Sequence, residues 1–271
     1  MAFDPKGYKP AEAKSLPVIL LLDVSGSMYG DKIEALYDAV VQMVNTFVAE
    51  RNKETLIKAS IITFGANVGL QAPCTATVPY VDVVDLHKNG IVPFDADGMT
   101  PLGCALRMAK DLIEDKNFTP GKWYAPAIVL VSDGQPNDEW RKPLDEFISN
   151  GRSSRCQRLA VAIGNDADRV VLKKFTGDEN LVFFAEFASD IAAAFKKVTL
   201  SVSQRASQKN PDAVLPKIGG NFDTSTVPVV GSNAGVRPSV PRGSLGPKHT
   251  APRPSVQRPK VTKPPVDEDE F

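Results

Sequence analysis

Histidine and cysteine are scarce: 271 residues hold two of the first and three of the second. Cys74, Cys104 and Cys156 are far apart and lack C-x-x-C spacing, so neither a zinc site nor a disulfide framework is supported. They read as reduced, structural thiols. Charge of one sign is missing too, since Lys+Arg 32 balances Asp+Glu 32, and bulk electrostatic binding of nucleic acid or a membrane surface is not expected. No apolar run reaches the roughly 18 residues of a membrane-spanning helix. The opening MAFDPKGYKPAEAKS is polar and lacks the apolar centre of a secretory signal, which makes a cytoplasmic setting the expectation. No G-x-x-x-x-G-K-[ST] or G-x-G-x-x-G follows a strand, so the usual phosphate-cradling loops are absent.

What is present divides the chain in three. Residues 1–14 form a polar extension, residues 15–203 alternate apolar runs with helical patterns, and residues 204–271 are rich in Pro, Ser and Thr and end in an acidic run. The tail carries too little apolar surface to offset the entropy of ordering itself, so it reads as disordered. In the middle part, Val18–Leu22 is a continuous apolar run of the right length for a strand buried on both faces. Ile57–Phe64, Val78–Leu86, Ala125–Val131, Leu159–Ile163 and Leu181–Phe184 read as further strands, with Pro79 placing the Val78 run toward an edge. Helices are expected over Lys32–Ala49, from Leu102 to Ile113, Trp140–Ser149, Asp168–Phe175 and from Ser189 as cap onward. Asp31 with Glu34 looks like a capping arrangement, and Thr100 before Pro101 looks like an N-cap followed by a proline at the first helical position. Strands alternating with helices predict an α/β fold: a Rossmann-like, doubly wound, mostly parallel sheet flanked by helices.

The candidate site starts where the first strand ends. Asp23, Ser25 and Ser27 alternate with Val24 and Gly26, so an extended backbone aims one carboxylate and two hydroxyls the same way. Such a set suits a hard divalent cation, since Mg²⁺ prefers oxygen ligands and keeps several waters. The same residues also suit a plain turn or helix cap. Asp133, at the end of the run APAIVLVSDG, stands where open α/β sheets place ligands, or serves as a turn residue in SDGQPND.

Taken in order, Asp23-Val-Ser25-Gly-Ser27, then Thr100 within DGMTPLG, then Asp133-Gly134 after a strand, the pattern resembles the von Willebrand factor type A domain with its metal-ion-dependent adhesion site. The resemblance covers about residues 15 to 203, with all five positions present. It implies that Ser25 and Ser27 bind the metal directly, Thr100 directly or through water, and Asp23 and Asp133 mostly through water. The expected metal is Mg²⁺, with Mn²⁺ as the alternative, and a protein partner is expected to supply a carboxylate to the open position. The wording LLLDVSGSM, GMTPLG and VLVSDGQP further resembles the bacterial TerY-like proteins of tellurium-resistance clusters. That resemblance implies a stress-response adaptor working with a Ser/Thr kinase and a PP2C-type phosphatase.

In the tail, Thr224, Ser225 and Thr226 are candidate phosphorylation sites, where a phosphate would add charge of about −1.5 to −2. The terminal Asp267, Glu268, Asp269 and Glu270 could reach a metal site of this or another copy. Asp95, Asp97, Asp138 and Glu139 read as loop acids that either tune the site or are simply solvated. The expected function is non-catalytic. A Mg²⁺-dependent phosphohydrolase of the haloacid dehalogenase kind is the alternative, with Asp23 as nucleophile, but Ser25 stands where that chemistry needs a second aspartate.

Overall fold

The computed structural model describes residues 13–51 and 55–214. The strands are β1 (Lys14–Asp23), β2 (Thr55–Phe64), β3 (Val68–Leu70), β4 (Val81–Asp82), β5 (Ala127–Ser132), β6 (Gln157–Ile163) and β7 (Val182–Ala185). The helices are α1 (Asp31–Ala49), α2 (Val83–Asn89), α3 (Leu102–Glu114), α4 (Arg141–Ser149), α5 (Arg169–Thr176) and α6 (Ala188–Ala206). Strand order is β3-β2-β1-β5-β6-β7, with β4 also on β2. β2, β1, β5, β6 and β7 run parallel, while β3 and β4 are antiparallel to β2.

The apolar run of β1 is continuous because both of its faces are covered. Leu16, Val18, Leu20 and Leu22 join one core with α1, α2 and α6, and Ile19 and Leu21 join the other with α3, α4 and α5. β5 divides the same way, Val129 and Val131 against Ile128 and Leu130. Burial of each such side chain contributes about 1.5–3 kcal/mol. From β1 the chain crosses to β2 on one side, and β5 pairs on the other. This reversal opens a crevice beyond the carboxyl ends of β1 and β5, where ligands bind in open α/β sheets.

Four local expectations are corrected. The run Val78–Leu86 is a strand only at Val81–Asp82; the Asp82 carboxylate then accepts the Val84 N–H at 2.9 Å and starts α2, which buries Val83 and Leu86 at helical spacing. Local capping wins over β-branched propensity there. The α1 cap is Gly30 at φ +83°, with Asp31 already inside the helix. The α6 cap is Phe187, whose N–H donates to the Asp190 carboxylate at 3.0 Å, and Ser189 lies in the first turn. Thr100 is not the cap of α3, which starts at Leu102 after Pro101. Its free N–H groups at Gly103 and Cys104 donate instead to the two carboxylate oxygens of Asp138, each at 2.9 Å. β3 has no counterpart among the expected strands. At the far end α6 continues past residue 203 to Ala206, and a short turn over Pro211–Val214 follows.

Candidate functional site

β1 delivers Asp23 at its last position, and a short 3-10 turn over Gly26–Met28 leads from it into α1. Asp23 is completely buried and Ser25 nearly so. The Ser25 N–H donates to Asp23 Oδ1 at 3.0 Å, and the Ser132 hydroxyl donates to Asp23 Oδ2 at 2.6 Å. Both carboxylate oxygens are thereby fixed. Burial pushes the Asp23 carboxyl above its ordinary value, the hydrogen bonds from Ser132 and Ser25 oppose that, and the nearby Asp133 charge adds to it.

Asp133 follows the end of β5 and is also buried. Its Oδ1 accepts the Ser27 hydroxyl at 2.6 Å, and Ser27 Oγ lies 3.1 Å from Ser25 Oγ. Its Oδ2 accepts from the Lys32 ammonium at 2.6 Å, which also donates to the Ser27 carbonyl at 3.2 Å. Thr100 comes from the loop before α3. Its backbone is clamped to the loop after β5: its N–H donates to Asn137 Oδ1 at 3.1 Å, and its carbonyl accepts the Asn137 N–H at 3.2 Å. A side chain at Gly134 would meet Thr100 Oγ1 at 3.8 Å and Ser27 Oγ at 3.9 Å, so both hydroxyls border the small space above that glycine.

The two loops that carry the serines and Thr100 are laced together. The Gly26 N–H donates to the Gly98 carbonyl at 3.0 Å, and the Asp97 N–H to the Val24 carbonyl at 2.9 Å. Gly98 holds φ +78°, and a Cβ there would fall 2.3 Å from the Ala66 backbone, so no larger residue allows this approach.

The structure therefore brings Asp23, Ser25, Ser27, Thr100 and Asp133 to one crevice. The donor set fits a hard divalent cation. Octahedral bonds of roughly 2.0–2.1 Å place adjacent oxygens about 2.9 Å apart, close to the 3.1 Å between the serine oxygens. Among the described residues no group of three or more His, Cys, Asp or Glu could hold a metal, because hydroxyls supply most of this site. Of the loop acids, Asp138 caps α3, and Asp97 Oδ1 accepts the Gly98 N–H at 2.7 Å. His87 pairs with Asn45 across α2 and α1. Thr224, Ser225, Thr226, His249 and the terminal acids lie outside the described residues. Ser132 and Lys32 were not among the expected site residues. Only the pairing of β5 with β1, Leu22 opposite Val131, sets Ser132 beside Asp23.

Two exposed side chains stand on these same loops: Tyr29 is 81% exposed and Met99 65%. Tyr29 lies two residues after Ser27, and Met99 directly precedes Thr100.

The human inter-alpha-trypsin inhibitor heavy chain H6 is 26% identical over 181 residues, 64% of this chain and 13% of that protein. The chain thus spans only a small part of that relative. Among solved structures, proximal thread matrix protein 1 from the mussel byssus, with a zinc-occupied MIDAS motif, matches at TM-score 0.55 and 18% identity, over 69% of this chain and 48% of that one. A von Willebrand factor type A protein from Catenulispora acidiphila matches at TM-score 0.53 and 18% identity, over 69% and 42%. Both share the fold. The family model of the von Willebrand factor type A domain matches residues 18–197, and the chain belongs to that family.

Proposed function

We propose that this chain is a non-catalytic, divalent-cation-dependent protein-interaction module. It holds Mg²⁺, or Mn²⁺ where that is more available, among Asp23, Ser25, Ser27, Thr100 and Asp133, and docks a carboxylate of a protein partner at the open position. The observation that carries the reading is the meeting of oxygens from three separate segments at the strand-order reversal, with the two serine oxygens at near-octahedral spacing. Tyr29 and Met99 would pack on the partner around the ion, as exposed aromatic and Met side chains do at interface centres. A catalytic role is disfavoured by chemistry: Ser25 occupies the place of a general acid, and its N–H is spent on Asp23. No described helix is long and apolar enough to cross a membrane.

The finer reading rests on the wording of the motifs alone. Their likeness to TerY-like proteins supports a cytoplasmic adaptor in a tellurite or other stress response, with a Ser/Thr kinase and a PP2C-type phosphatase as partners. Phosphorylation of Thr224, Ser225 or Thr226 would follow from that company, and intact-mass spectrometry after co-expression with the kinase tests it; an unmodified mass counts against it.

Affinity capture with wild type and Ser25→Ala, each in Mg²⁺ and in EDTA, tests the central reading. Partners retained only by wild type in Mg²⁺ support it. Identical sets in all four captures would show that the ion does not govern docking.

A further inference from the structure

We propose that Lys32 is a built-in counter-cation of this site, which weakens divalent-ion binding and leaves the loaded site positive toward a partner's carboxylate. This rests on the metal reading above. The observation behind it is geometric. The Lys32 ammonium stands 2.6 Å from the fully buried Asp133 Oδ2 and 3.2 Å from the Ser27 carbonyl, touching two of the residues that form the crevice.

A lysine in the first turn of α1 opposes the helix dipole, whose positive end lies there. Asp31 and Glu34 in the same turn offset part of that cost, and Asp133 gives the ammonium a direct partner. The lysine side chain keeps 35% exposure while Asp133 has none, so the ammonium stands at the solvent edge of the site, where it can stay beside Asp133 once the ion is bound.

Formal charge then decides the behaviour of the site. Asp23, Asp133 and Lys32 sum to one negative charge, and a divalent cation turns that into one positive charge. Without Lys32 the loaded site would be neutral. The lysine therefore trades metal affinity for attraction to an anionic ligand. A merely structural lysine would not produce opposite changes in the two affinities.

The test uses the full chain with Mn²⁺ as probe, titrated by electron paramagnetic resonance, and glutarate added to the Mn²⁺-loaded protein, followed by water-proton relaxation. Lys32→Met and Lys32→Gln should bind Mn²⁺ about tenfold tighter than wild type and glutarate severalfold more weakly, and Lys32→Arg should stay near wild type. Circular dichroism of each variant in EDTA checks that it folds, and the two neutral replacements guard against one failing. Mn²⁺ binding by the neutral variants that is equal to or weaker than wild type overturns the role of Lys32 alone. No Mn²⁺ binding by wild type overturns the metal reading and the inference with it.

Discussion

The two ends of β5 bury opposite charges and treat them differently. At the start of the strand the Arg205 guanidinium, 2% exposed, is enclosed by the carbonyls of Ala125 and Pro211, the Asp212 carboxylate and the Gln157 side chain. Its donors are spent on fixed acceptors, and it ties the end of α6 and the turn after it to the edges of β5 and β6. At the other end Asp23 and Asp133 are as deeply buried, but their partners are the Ser25 N–H, two hydroxyls that keep lone pairs, and one half-buried lysine. A closed polar cluster holds the fold together; one whose oxygens keep unused lone pairs toward a crevice can take up a ligand.

Substitutions should separate the two ends. Arg205→Met takes the donor from the carbonyls of Ala125 and Pro211 and the countercharge from the partly exposed Asp212, and should cost about 1.5–3 kcal/mol of stability in urea unfolding while leaving Mn²⁺ affinity unchanged. Comparable loss of metal affinity would mean the ends are coupled. Gly103→Ala comes next, since a Cβ there would lie 2.4 Å from the Glu139 carbonyl; about 1–3 kcal/mol should be lost as the loop after β5 is pushed away. Asp138→Ala leaves two N–H groups of α3 without their acceptor and should cost about 1–2 kcal/mol. Because that loop also holds Asn137 against Thr100, Mn²⁺ affinity should fall with it. Ser25→Ala should do the reverse of Arg205→Met: more than tenfold weaker Mn²⁺ binding, with stability in EDTA changed by less than about 1 kcal/mol.

At neutral pH the smallest effect is that of Cys156, a buried thiol whose pKa burial pushes up from 9.0 to about 12. The unfolded thiol loses its proton above 9.0 and the folded one only near 12, so the native state binds more protons between them. Stability should therefore decline as pH rises through that window, by up to about 1.4 kcal/mol per pH unit for this group. Cys156→Ala should show a shallower decline in alkaline urea titrations; an unchanged slope would exclude the thiol as its source.

Contiguous features were legible before the structure. The spacing of Asp23, Ser25 and Ser27 is a strand periodicity, and the unbroken run before it required two covered faces, which the two cores supply. The helical pattern over Lys32–Ala49 was legible too, and α1 spans Asp31–Ala49. What failed involved competition between local and distant partners. Val81 to Val84 looks extended by propensity until Asp82 caps a helix. Thr100 looks like a cap until the distant Asp138 carboxylate takes that duty.

By itself, then, the sequence determined the alternation of strands and helices, the central place of β1 and the oxygen character of the site, because side-chain period and burial act over a few residues. Only the tertiary structure decided which hydroxyls and acids meet. Parallel pairing of β1 with β5 brings Ser132 to Asp23, the cap from Asp138 relieves Thr100 of local duty, and the crossing of α1 sets Lys32 on Asp133. Those contacts depend on strand order and helix placement, which are set by burying both faces of the sheet at once, and no short stretch of the chain encodes them.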